Sequence, residues 1–159
     1  MELWDAYDKD FKKIDGMTLV RGEEKSIPKG VFHLICGVLV KHIDETLLIT
    51  KRDKDKVHGG MWEATCGGSA FLGETPHMCA IRELYEETGI KVDSLIETGR
   101  IFSEEGHYIH VGFLCIIDCD KKSIVLQKDE TCDYRWISKK ELIKMRRGEL
   151  LTEWIFKFL

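Results

Sequence analysis

Proline is scarce in this sequence: Pro28 and Pro76 are the only two in 159 residues. No low-complexity tract or internal repeat accompanies them, so nothing marks a linker, and the expectation is a single domain over residues 1–159. No apolar run approaches the ~20 residues that a membrane-spanning helix needs. The acidic opening MELWDAYDKD does not read as a signal peptide. Positive charge is not in excess either. The formal net charge is −4 and there is no basic stripe, which argues against nucleic-acid polymers as partners. The six cysteines, Cys36, Cys66, Cys79, Cys115, Cys119 and Cys132, include no CxxC pair. Cys115 and Cys119 would alternate along a strand more naturally than ligate zinc. Several thiols sit among apolar neighbours, as buried free cysteines do, and the expected compartment is a reducing cytoplasm.

What is present suffices for a core, with 43% hydrophobic residues. Short apolar pieces at 3–7 and 17–20, separated by Lys13-Ile14-Asp15-Gly16, suggest a hairpin. Residues 32–40 and 46–50 are strand candidates, 51–60 a charged loop, and 61–66 a further short strand. Strands are also expected at 95–102, 107–118 and 133–137, with a turn at 103–106. Ser138 with Glu141 forms a capping box for a helix through about Arg146, and residues 150–159 suggest an amphipathic last helix with Thr152 as its cap. Strands broken by one mid-chain helix and followed by terminal helices point to an α+β fold, a mixed sheet with helices on its faces.

The chemistry concentrates in GGSAFLGETPHMCAIRELYEETGI, which runs from Gly67 to Ile90. Thr75 suits an N-cap, Pro76 the first helical position and Gly89 the residue just past the end. On that helix Glu83, Glu86 and Glu87 share one arc, with small Cys79 and Ala80 a turn earlier leaving room beside them. Met78, Ile81, Leu84, Tyr85 and Thr88 are then the expected core-facing stripe. Three crowded carboxylates repel one another, and a hard divalent cation would turn that repulsion into attraction. Read alone, the three glutamates are better taken as a solvated acidic face.

The surrounding residues add a pattern: G-x5-E-x7-R-E-U-x-E-E-x-G-U, with U bulky and aliphatic, is filled at every specified position from Gly68 to Ile90. A chance match arises on the order of once in a billion start positions at average residue usage. The segment resembles the box of the Nudix (MutT-like) hydrolases, a loop–helix–loop that binds magnesium and a diphosphate. The resemblance implies an α/β/α sandwich with a mixed central sheet, and a pyrophosphohydrolase that uses Mg²⁺ or Mn²⁺. It carries over Glu83, Glu86 and Glu87 as metal ligands, and the Gly68 carbonyl as a weaker one. Arg82, the fourth catalytic candidate, lies beside the acidic arc and could orient a glutamate. Glu74 resembles the box-stabilising carboxylate. Asp118 lies where some MutT-like members carry an extra metal-binding glutamate. Glu104, Glu105 and Glu130 are, with Asp118, candidates for a general base outside the box.

Arg52, at a strand end, could meet a phosphate, and Trp62 could stack on a ligand, although core packing is the better reading for Trp62. The expected substrate is a small diphosphate compound, nucleotide-like. A second resemblance, to isopentenyl-diphosphate isomerase within the same superfamily, rests on Phe32-His33-Leu34 and on Trp62-x3-Cys66-Gly67. Gly68 stands where that enzyme has a histidine ligand, and His107 to His110 include no glutamate. A non-catalytic nucleotide-binding module is the third reading. The apolar end Trp154-Ile155-Phe156 could pack on the core or on a second subunit, giving a homodimer.

Overall fold

The computed structural model describes residues 1–145 and 148–152. Two strands, β1 (Leu3–Tyr7) and β2 (Lys13–Val20), form an antiparallel hairpin. A 3-10 turn over Glu24–Ser26 follows. The main sheet contains β3 (His33–His42), β4 (Leu47–Arg52), β5 (Trp62–Glu63), β6 (Cys66–Ser69), β7 (Ile96–Ser103), β8 (Tyr108–Ile117) and β9 (Thr131–Ile137). Its order is β5-β4-β3-β8-β7, with β6 paired to β3 and β9 to β4. The β3–β8 ladder is parallel, from His33↔Tyr108 to His42↔Ile117, and the other pairs are antiparallel. This is an α+β fold with a mixed sheet.

Side-chain alternation along β3 assigns its two faces. Leu34, Cys36, Val38 and Val40 join Val111, Phe113 and Cys115 in the core beneath helix α1 (Pro76–Thr88). Leu39 points the other way, into a cluster with Leu47, Ile49 and Leu142 of helix α2 (Lys139–Lys144). The helices therefore cover opposite faces. A third cluster, Trp4, Ala6, Leu19, Ile27 and Val31, lies under the hairpin. The hairpin is fastened to β3 by reciprocal Tyr7–Phe32 backbone hydrogen bonds and by Trp4 stacked on His33 at 4.1 Å.

α1 has the ends its sequence dictates. The Thr75 hydroxyl accepts the Met78 N–H at 3.2 Å, and Gly89 at φ 73° closes the helix by donating to the Tyr85 carbonyl at 2.8 Å. Its buried face is not the expected one. Cys79, Ala80, Leu84 and Thr88 are buried, whereas Met78 and Tyr85 are exposed and Ile81 is half-buried. The small Cys79 and Ala80 leave no vacant room, because β3 and β6 come up against them. The inward stripe is rotated toward the glutamates, so Glu83 and Glu87 turn partly inward.

Other boundaries differ for local reasons. Lys13 to Gly16 is not the hairpin turn but the start of β2, and the turn is at residues 8–12, where Asp8 accepts the N–H groups of Asp10 and Lys12. The strand expected at 61–66 is broken into β5, which pairs with β4, and β6, which pairs with β3. The described part of α2 ends at Lys144, with Met145 as its C-cap. Thr152 uses its hydroxyl to accept the Ala64 N–H at 2.8 Å. The rest of the expected last helix, with Trp154, Ile155 and Phe156 and the dimer surface they suggested, lies outside the described residues.

Candidate active site

Arg82 organises the cleft. Its Nε and Nη2 donate to the two oxygens of Glu74, in the β6–α1 loop, at 2.7 and 2.8 Å. Nη1 donates to Glu83 at 2.7 Å and Glu86 at 3.2 Å, and Nη2 also reaches the Ser69 carbonyl at 3.1 Å. A guanidinium has five N–H donors, and these contacts engage all of them. The Phe71 ring lies 3.8 Å from the guanidinium carbon. Glu74 also accepts the Phe71 N–H at 2.8 Å, so the fork clamps loop to helix. The hydrogen bonds that Arg82 donates to Glu74, and then that to Glu83, raise the Arg82 pKa further above its ordinary value. Burial alone would raise the Glu74 pKa, but Arg82 more than reverses this and holds it below the usual carboxylate value.

The three carboxylates on the helix differ in environment. Glu86 is the most open, and Glu83 is packed onto the loop. A Cβ on Gly68 would lie 2.5 Å from a Glu83 oxygen, and one on Gly67 would lie 2.0 Å from the Cys36 carbonyl oxygen. Both glycines let the β6 backbone fit tightly between β3 and α1. Glu87 sits deepest, and its Oε2 is buried with no hydrogen-bond partner. Burial, then the charges of Glu83, Glu63 and Glu130, push the Glu87 carboxyl well above its ordinary pKa. Burial likewise raises Glu83. The Cys66 thiol is raised well above the ordinary thiol value, first by burial and then by the neighbouring Glu87.

Arg82, the three helix glutamates and the β6 glycines line a cleft of about 240 Å³, together with Glu2 and Arg21 from the N-terminal hairpin region and with Gln127 and Glu130 from the segment before β9. As the side chains stand, no three His, Cys, Asp or Glu among the described residues form a ready cation cage, since Arg82 holds Glu83 and Glu86. The orphaned Glu87 oxygen nevertheless fits a cation. It is a buried carboxyl oxygen among further carboxylates, and the set is all oxygen, as a hard divalent ion requires.

The other candidates are dispersed. Arg52 is tied to Glu63 at 2.8 Å and to the Val57 carbonyl at 2.8 Å. Trp62 is buried in the α2-side core, with Arg135 stacked at 4.5 Å from its ring. Asp118 is exposed, 3.8 Å from His42, and does not line the cleft. Glu104 and Glu105 lie in the exposed β7–β8 turn. Glu130 alone of the acids considered outside the box lines the cleft, and Lys56 is its ion-pair partner at 2.5 Å. Sequence reading missed Glu2, Arg21 and Gln127, which line the cleft. None has a spacing relation to the box, because each comes from an element brought in by tertiary pairing.

Such a sheet, with carboxylates gathered on a strand–loop–helix turn around one arginine, defines a class of α+β protein. The NUDIX domain family model matches residues 20–155. An uncharacterized Nudix hydrolase of Listeria monocytogenes is 35% identical over 157 residues, covering 95% of this chain and 89% of that protein. An isopentenyl-diphosphate Delta-isomerase of Dinoroseobacter shibae is 28% identical, covering 92% of this chain and 88% of that protein. The crystal structure of a Deinococcus radiodurans protein matches with a TM-score of 0.79 at 16% identity over 99% of both chains, a likeness of fold. The chain belongs to the Nudix family. Its relatives make it an enzyme of the Nudix pyrophosphohydrolase kind, a group that generally uses divalent metal ions. No described helix is long and apolar enough to cross a membrane.

Proposed function

We propose that this protein hydrolyses a diphosphate linkage in a small nucleotide-like molecule with the help of Mg²⁺, or of Mn²⁺ in its place. The observation that carries this reading is the buried, unpartnered Oε2 of Glu87 in a cleft where Arg82 orders the neighbouring Glu83 and Glu86. Glu83, Glu86 and Glu87 would hold the cation, with the Gly68 carbonyl as a further ligand. A bound cation neutralises phosphoryl oxygens and lowers the pKa of coordinated water. The protein's own contribution is positioning. Arg82 fixes Glu83 and Glu86 relative to the loop, and Gly68 allows the Glu83 carboxylate to rest on the backbone. Phosphate release from a panel of nucleoside diphosphate derivatives, with and without a coupling phosphatase, tests the proposal. Turnover is expected with Mg²⁺ or Mn²⁺ and poor with Ca²⁺. Undiminished turnover after thorough chelation would rule the reading out.

A second reading, isomerisation of isopentenyl diphosphate, draws on the isomerase relatives and on the Cys66 thiol lying against Glu87. Against it stand the burial of Cys66, which keeps the thiol out of the cleft lining, and the absence of a side chain at Gly68. Product analysis by NMR separates the two. Hydrolysis is expected to persist in Cys66→Ala, whereas dimethylallyl diphosphate formed by the wild type and lost in that variant would make the chain an isomerase.

A further inference from the structure

Among the described residues two arginines line the cleft, Arg82 and Arg21, and of these Arg21 has donors to spare. All five N–H groups of Arg82 are engaged by Glu74, Glu83, Glu86 and the Ser69 carbonyl. A diphosphate carries negative charge on both phosphoryl groups, and a cation held by the α1 glutamates leaves oxygens that need donors elsewhere. Arg21, just past β2, enters the same cleft from the N-terminal hairpin. It donates one hydrogen bond, from Nη1 to Glu2 at 2.8 Å, and its side chain is 64% exposed.

Its position is set by the structure around it. Glu2 is gripped from the other side by the Trp4 indole N–H at 2.7 Å, and the Arg21 N–H donates to the Glu2 carbonyl at 3.0 Å. Trp4 is buried and stacked on His33 of β3. The Leu72 N–H donates to the Leu3 carbonyl at 2.8 Å, and the Gly73 N–H to Asp5 at 2.8 Å, so the hairpin is joined to the loop that carries Glu74. A hairpin outside the main sheet thus presents a guanidinium to the carboxylate-lined pocket from a fixed platform.

We propose that Arg21 is a substrate-binding residue, which donates to the phosphoryl oxygens of the diphosphate that the cation does not take, with Glu2 as its positioning residue. The assignment rests on the diphosphate reading above. A guanidinium suits the task because its planar fork matches two oxygens of one phosphoryl group, which an ammonium cannot do.

The test is calorimetric titration of methylenediphosphonate, a diphosphate that water does not cleave, into the full chain with Mg²⁺. Wild type, Arg21→Ala, Arg21→Lys and a control at a remote arginine, Arg100→Ala, are compared. Arg100 pairs with Glu97 on β7 and does not line the cleft. Arg21→Ala is expected to weaken binding about tenfold or more, the loss of a charge-assisted hydrogen bond, and Arg21→Lys to recover only part of it. Arg100→Ala should bind as wild type does. Equal affinity of wild type and Arg21→Ala would overturn the assignment and leave Arg21 as a surface partner of Glu2. Failure of the wild type itself to bind would remove the diphosphate reading, and the role of Arg21 with it. Should Arg21→Ala not fold, Arg21→Gln, which keeps the length of the side chain, gives the same comparison.

Discussion

At the scale of the residue, the cleft is a set of carboxylates in which Arg82 pairs with Glu83 and Glu86 and the backbone at Gly68 seats Glu83. Gly68 is the sharpest case, because the space for its missing side chain is filled by the Glu83 carboxylate. Gly68→Ala is expected to fold and to lower kcat by about 10²-fold, since displacing a reacting group by about 1 Å can cost that much. Steady-state kinetics beside a thermal melt would check it, and an unchanged kcat would show that Glu83 has no need of this seat. Glu87 makes the opposite kind of prediction. Its unpaired, buried oxygen is destabilising in the absence of a cation, so Glu87→Gln should leave the melting temperature of the metal-free protein unchanged or higher. Turnover should fall by about 10²-fold or more. Glu86→Gln, at the open end, should lose turnover with no gain in stability.

At the scale of the element, α1 is a helix whose ends are local and whose orientation is not. Thr75, Pro76 and Gly89 set its limits through contacts within a few residues, as the sequence indicates. Which stripe turns inward depends on what it meets. The helix lies against β3 and β6, where Cys36 and the glycines of β6 leave space for Cys79 and Ala80, and this rotation exposes Tyr85 while it buries Leu84. Leu84→Ala should therefore cost about 2–5 kcal/mol, as a large-to-small change at a fully buried position does. Tyr85→Ala should remain within about 0.5 kcal/mol. Urea unfolding of the two variants decides the matter, and equal losses would restore the stripe that periodicity suggested.

At the scale of the whole molecule, two buried histidines, His33 where the hairpin stacks on β3 and His110 within β8, make stability depend on pH. Burial lowers the pKa of His33 to about 4, and that of His110 to about 4 as well. A group whose folded pKa lies below its unfolded value, near 6.5, is protonated first in the unfolded chain. The stability it contributes is complete above pH ~6.5 and is lost as the pH falls toward ~4, on the order of 3 kcal/mol for each such group. Melting temperatures between those limits should fall more steeply for the wild type than for His33→Phe, and parallel curves would count against the buried neutral imidazole. The same scale separates what the chain writes out from what the fold assembles. Residues 68–90 determine on their own the capped helix, the family and the Arg82–glutamate cluster, because those contacts span a single turn or loop. β3, β8 and the alternation of their faces are also legible, since a strand with two buried faces is a nearly continuous apolar run. The core place of Trp62 is also the better reading of the sequence, whereas the assignment of Arg52 to Glu63 and of Asp118 to the neighbourhood of His42 came only from tertiary pairing. So did the arrival of Glu2, Arg21, Gln127 and Glu130 at the cleft, because side chains distant in sequence become neighbours through strand order and packing, and no local period records that.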